Sequence, residues 1–147
     1  MRRNPAIQQL IATGLFSNCS RADIARIARL TTPARIAAGT HVVEQWQTGR
    51  ECFIILSGHG RVERDGQTVA TCGPGDIIGE LAMLDRLPRS ATVVAHTDVE
   101  ALVLGSREFA ALLHIPAVAR KLTRLLARRL RDSQELVWGG RPSALAS

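Results

Sequence analysis

Apolar and polar positions follow two different periods along this chain, and the change of period divides it into a β centre flanked by helices. Glu51-Cys52-Phe53-Ile54-Ile55-Leu56-Ser57-Gly58 is a continuous apolar run closed by a turn signal, the pattern of a buried strand. Gly60 to Gly66 then alternates into a hairpin-like return, and Ile77-Ile78 is a short apolar pair at a strand end. Ala91 to Ala95 and Val99 to Leu104 read as two further strands around a turn at Thr97-Asp98. Short strands about every ten residues indicate a closed or sandwiched all-β unit.

Outside that centre the period lengthens. Ser20 is placed to cap a helix over Arg21 to Leu30, with Asp23 at the third helical position reaching back as a short version of a capping box. A weaker helical pattern runs from Pro5 to Thr13. On the far side Ser106 is placed to cap Arg107 to His114, and Pro116 opens a long helix from Ala117 to about Val137, stopped by Gly139-Gly140. One domain is expected over 1–138: N-terminal helices in 1–35, the β unit in 36–105, C-terminal helices in 106–138. Residues 139–147 are expected to form a flexible tail.

The densest chemistry lies between Gly75 and Thr92. Gly75 and Gly79 bracket Ile77 and Ile78, where the backbone must turn tightly or approach a ligand. Glu80-Leu81-Ala82-Met83-Leu84 are good helix formers, so a helical turn is expected from about Gly79, its first amide groups free to bind an anion. Arg89 supplies a positive charge, Pro88 fixes the backbone before it and Ser90 adds a hydroxyl donor. A carboxylate beside a bound phosphate repels it unless it points at something else, and for Glu80 a sugar hydroxyl is a suitable partner. Phosphate and ribose together account for the segment.

Gly79, Glu80, Leu81, Ala82, Pro88, Arg89, Ser90 and Ala91 resemble the phosphate-binding cassette of the cyclic-nucleotide-binding domain family, which includes catabolite activator proteins and regulatory subunits of cAMP-dependent kinase. The resemblance implies a mainly β fold with flanking helices, an eight-stranded jelly roll whose cassette spans 79–92. It implies that Glu80 takes the ribose 2′-hydroxyl, that Arg89 pairs with the cyclic phosphate, and that amides near Leu81 and Ala82 complete the cradle with Ser90. The ligand it implies is cAMP, with cGMP as the alternative because Ser90 is chemically intermediate between the residues found in the two classes. Ala127-Arg128-Arg129-Leu130 is similar to the segment that leads into base-reading polar residues in the activators. On that basis Ser133 and Gln134 are candidates for the base edge, and Trp138 for stacking on the ring. Cys72, just ahead of the cassette, is a candidate for the pocket wall. In dimeric activators the corresponding long helix pairs with its twin, so a homodimer through 117–137 is expected, signalling to an unknown protein effector or within the oligomer.

Composition narrows the alternatives. Cys19, Cys52 and Cys72 are odd in number and widely spaced, which fits reduced thiols better than a disulfide framework or a metal site. His41, His59, His96 and His114 show no ligand-like spacing, and no metal or cofactor is expected. No stretch reaches the roughly 18 apolar residues of a membrane span, and Met1-Arg2-Arg3-Asn4 opens no secretory leader, so a cytoplasmic protein is expected. The net charge of +6 concentrates between His114 and Ser147, where Arg120, Lys121, Arg124, Arg128, Arg129, Arg131 and Arg141 stand against only Asp132 and Glu135, most of them on the last helix. Leu122, Leu126, Leu130, Ser133 and Val137 form an apolar stripe on that helix, and the arginines are read as its solvated face in preference to a DNA contact. About ten residues follow it, too few for a helix-turn-helix, so a free-standing sensor is expected. Catalysis is not expected, since no metal cluster or activated nucleophile accompanies Glu80 and Arg89. The rival readings are a DNA-associated regulator using the basic helix and a ligand-free pseudo-domain serving as a dimer scaffold.

Overall fold

The computed structural model describes residues 5–79 and 88–137. Two helices, α1 (Pro5–Ala12) and α2 (Arg21–Leu30), precede eight strands: β1 (Thr32–Ile36), β2 (His41–Val43), β3 (Glu51–Ser57), β4 (Gly60–Arg64), β5 (Gln67–Cys72), β6 (Ile77–Ile78), β7 (Thr92–Ala95) and β8 (Val99–Gly105). Two more helices follow, α3 (Ser106–Leu112) and α4 (Pro116–Val137). The strands form two antiparallel four-stranded sheets in the orders β1-β8-β3-β6 and β2-β7-β4-β5, the arrangement of a jelly roll.

The first sheet is the middle layer of the molecule, and the strand pleat explains how. Successive side chains point to opposite faces. On β3, Cys52 and Ile54 pack on the helices with Leu102, Leu104, Phe109 and Val118, whereas Ile55 faces the second sheet with Val62, Val93 and Ala101. A strand covered on both sides reads as an unbroken apolar run, which is how residues 52–56 appear in the sequence.

Most of the expected helix signals are realised. At α2 the Ser20 hydroxyl accepts from the Asp23 N–H at 3.1 Å and the Asp23 carboxylate accepts from the Ser20 N–H at 3.2 Å, so the short acidic side chain does close the box. Ser106 differs: it is the first residue of α3, and Gly105 occupies the cap position without a side-chain bond. The reason is continuity, because Gly105 is still paired with Glu51 in the β3–β8 ladder and the helix starts directly from the strand. The sheet likewise begins at Thr32, ahead of the expected boundary at 36, and β1, β2 and β5 add to the strands read from the sequence. On α4 the stripe residue Leu122 is 3% exposed in the domain's own core beside Val118, so the first part of the stripe is already covered. The expected helical turn after Gly79 and the Gly139-Gly140 stop lie outside the described residues.

Candidate functional site

Arg89 is the one polar or charged side chain among the described residues that is buried, at 5% exposure. Its guanidinium closes the open end of the β3–β6 ladder: Nη2 donates to the Glu51 carbonyl at 2.6 Å and Nη1 to the Gly79 carbonyl at 3.2 Å. Gly79 is required there twice over. Its φ is +89°, and a β-carbon at that position would collide with Arg89 Nη1.

Burial pulls the Arg89 pKa below its ordinary value, while the neighbouring Cys52 and Glu51 oppose the shift. Among the described residues its acceptors are two backbone carbonyls and no carboxylate. Carbonyl dipoles compensate a buried cation only in part, so the arrangement favours an anion that can reach the remaining guanidinium N–H groups.

The backbone of Arg89 belongs to no regular element, and neighbouring turns hold it. Its N–H donates to the Gln47 carbonyl at 2.8 Å and its carbonyl accepts from the Trp46 N–H at 2.9 Å. Thr48 and Pro88 form an isolated bridge beside it, and Arg64 Nε donates to the Ser90 carbonyl at 3.3 Å. None of these backbone partners carries a sequence signal, because a main-chain group is the same whatever side chain it bears.

Of the expected site residues, Gly79 and Arg89 are in contact, exposed Ser90 follows directly, and Ala91 is fully buried between the sheets. Cys72 is 5% exposed and lines an apolar cavity of about 10 Å³ between the sheets with Phe53, Ile55, Ile78 and Val93. That space holds about one water, and the Cys72 thiol packs in the apolar core between the sheets. Desolvation pushes its pKa up to about 11 and that of Cys52 to about 12, so both stay neutral thiols at ordinary pH. Glu80, Leu81, Ala82 and Trp138 lie outside the described residues. Ser133 and Gln134 fall within α4, but their side chains are outside the description too.

Among the described residues no group of three or more His, Cys, Asp or Glu side chains could hold a metal ion, and no helix is long and apolar enough to cross a membrane.

Comparison with known proteins supplies independent findings. The family model of the cyclic nucleotide-binding domain matches residues 33–115. The chain is 40% identical over 101 residues to a cyclic AMP receptor protein of Thermus thermophilus, an overlap of 65% of this chain and 47% of that protein. It is 36% identical over 90 residues to a cAMP-dependent protein kinase regulatory subunit of Yarrowia lipolytica, covering 60% of this chain and 24% of the relative. It therefore spans about half or less of the length of these relatives. The crystal structure of the Thermus thermophilus catabolite activator protein superposes with a TM-score of 0.77 at 32% identity, over 84% of this chain and 61% of that one. A cyclic nucleotide-binding domain from Methylobacillus flagellatus, at 24% identity, shares the fold with a TM-score of 0.78 over 95% of this chain and 86% of its own.

Proposed function

This chain belongs to the cyclic nucleotide-binding domain family, a family of regulatory domains, and from that premise we propose that it is a sensor that binds cAMP in the segment 79–92. The observation that carries the reading is Arg89: a buried guanidinium, aligned by Gly79 and met among the described residues by carbonyl oxygens alone. A cyclic phosphate compensates that charge, and Glu80 is assigned to the ribose hydroxyl. The amides of Leu81 and Ala82 with Ser90 and Ala91 complete the cradle. Ser133, Gln134 and Trp138 are assigned to the base, which places the nucleotide between the cassette and α4.

Signalling follows from differential affinity. A ligand shifts a two-state equilibrium only by the difference in its affinity for the two states. A micromolar ligand has about 8 kcal/mol of binding free energy, of which a few kcal/mol suffice to move α4 against the β core. The output is a changed α4 surface, offered to a second copy of the chain or to another protein. Calorimetric titration with cAMP and with cGMP tests the reading. Saturable 1:1 binding with cAMP tighter is the expected result, and absence of binding by both nucleotides overturns it.

A further inference from the structure

Two non-glycine residues among those described have left-handed backbone, Trp46 at φ +74° and Asp65 at φ +53°. They belong to one hydrogen-bonded assembly next to Arg89. Asp65 is accounted for by its own turn: with Gly66 at φ +81° it connects β4 to β5 in a two-residue hairpin loop, a place where Asp tolerates this conformation. Trp46 is not so accounted for. The Gln47 N–H donates to the Glu44 carbonyl at 3.2 Å, which makes Trp46 the third residue of a tight turn, the position where positive φ calls for glycine. Its indole is 74% exposed, so burial does not hold it there.

Hydrogen bonds hold it. Gln45 Nε2 donates to Asp65 Oδ1 at 3.2 Å while the Asp65 N–H donates to Gln45 Oε1 at 3.0 Å, a reciprocal pair that ties the 44–47 turn to the β4–β5 hairpin. The Gln45 N–H donates to Thr92 Oγ1 at 2.9 Å, tying the same turn to β7. The turn, anchored at Gln45 through both its side chain and its N–H, presents the Trp46 N–H and the Gln47 carbonyl that bracket the Arg89 backbone at 2.9 and 2.8 Å. Local backbone strain that persists only because surrounding bonds over-determine it concentrates at functional sites.

We infer that Gln45 is a positioning residue for the ligand arginine: through Asp65 and Thr92 it clamps the 44–47 turn, and the clamped turn sets where the Arg89 guanidinium meets a phosphate. The inference rests on the reading of Arg89 as the phosphate ligand. Gln45 touches no ligand itself. Its effect is passed on through the Arg89 backbone, so it acts only on ligands that Arg89 holds.

A calorimetric double-mutant cycle with cAMP tests it. Gln45→Glu sets two carboxylates against each other, and it is expected to weaken binding about tenfold with the ligand-free melting temperature nearly unchanged. Adding Asp65→Asn replaces the repulsion with an amide-to-carboxylate bond that runs in the reverse direction, while the backbone N–H of residue 65 still donates to the side chain of residue 45, and it is expected to bring affinity back to within about threefold of the parent. Thr92→Val, which removes the second anchor, is expected to weaken binding in the same direction. In an Arg89→Lys background Gln45→Glu is expected to change affinity by less than about twofold, since its route of action has been removed. Parent-like affinity in both Gln45→Glu and Thr92→Val, or an undiminished loss in the Arg89→Lys background, overturns the clamp while leaving the site reading in place. A parent chain that takes up neither cAMP nor cGMP overturns the site reading, and the clamp with it.

Discussion

At the scale of single residues, the buried charge of Arg89 and the buried thiols of Cys52 and Cys72 make opposite demands on their surroundings. Burial disfavours the charge of Arg89, and an anion within reach of its guanidinium would offset that. Arg89→Ala is expected to weaken cyclic nucleotide binding by roughly 2 to 5 kcal/mol, because a desolvated phosphate would lose its charge partner. Calorimetry should find the loss equal for cAMP and cGMP, since the phosphate is common to both. The thiols, in contrast, resist ionisation. Their folded pKa values, about 12 for Cys52 and about 11 for Cys72, lie above the unfolded value of 9.0, so below pH 9 both states are protonated and the shift has no effect on stability. Above pH 9 the unfolded chain loses these protons first. Stability is therefore expected to fall by about 1.4 kcal/mol per pH unit for each thiol, until Cys72 and then Cys52 ionise in the folded state. The chain has no tyrosine and a single lysine, Lys121, so apart from Cys19, whose thiol burial also pushes up, few other groups titrate in that range. Urea denaturation between pH 8.5 and 11 should show the decline, about halved in Cys72→Ala.

At the scale of elements, sequence patterns were legible where a local rule governs the outcome. Ser20 and Asp23 set the start of α2, Pro116 the start of α4, and the run from Cys52 to Leu56 the doubly buried β3. They were illegible where a long-range partner decides. β1 pairs with β8 through exposed or half-buried residues such as Thr32 and Arg35, so its sequence carries little apolar alternation. The 44–47 turn is the clearest failure of local rules, because a tryptophan occupies a glycine conformation. Trp46→Gly is accordingly expected to stabilise the protein by about 0.5 to 1 kcal/mol, since it relieves the left-handed strain and gives up little buried area. Thermal unfolding checks this, and a lowered midpoint would mean that the indole makes a contribution its exposure does not reveal.

At the scale of the whole molecule, the helices and the sheets differ in charge. Arg120, Arg124, Arg128 and Arg131 are exposed on α4, and no ion pair involves them among the described residues. Pairing of α4 with its twin in a homodimer would bring these arginines toward one another, and Leu122 is already committed to the domain's own core. Dimerisation through this helix is therefore expected to strengthen as ionic strength rises from about 0.05 M to about 0.5 M, where charge repulsion is screened within a few ångströms. Sedimentation equilibrium measures this, and a dimer that weakens with salt would point to a different interface. The sequence alone determined the β centre between two helical ends and the family of the chain, because turn chemistry, pleat alternation and cap residues are properties of neighbours along the chain. Only the tertiary structure decided that Arg89 is buried against the carbonyls of Glu51 and Gly79, that Cys72 packs between the sheets, and that the 44–47 turn grips the arginine's backbone. The contacts of Arg89 join residues distant in sequence through main-chain partners, and the packing of Cys72 depends on which strands pair, so side-chain identity could not announce them.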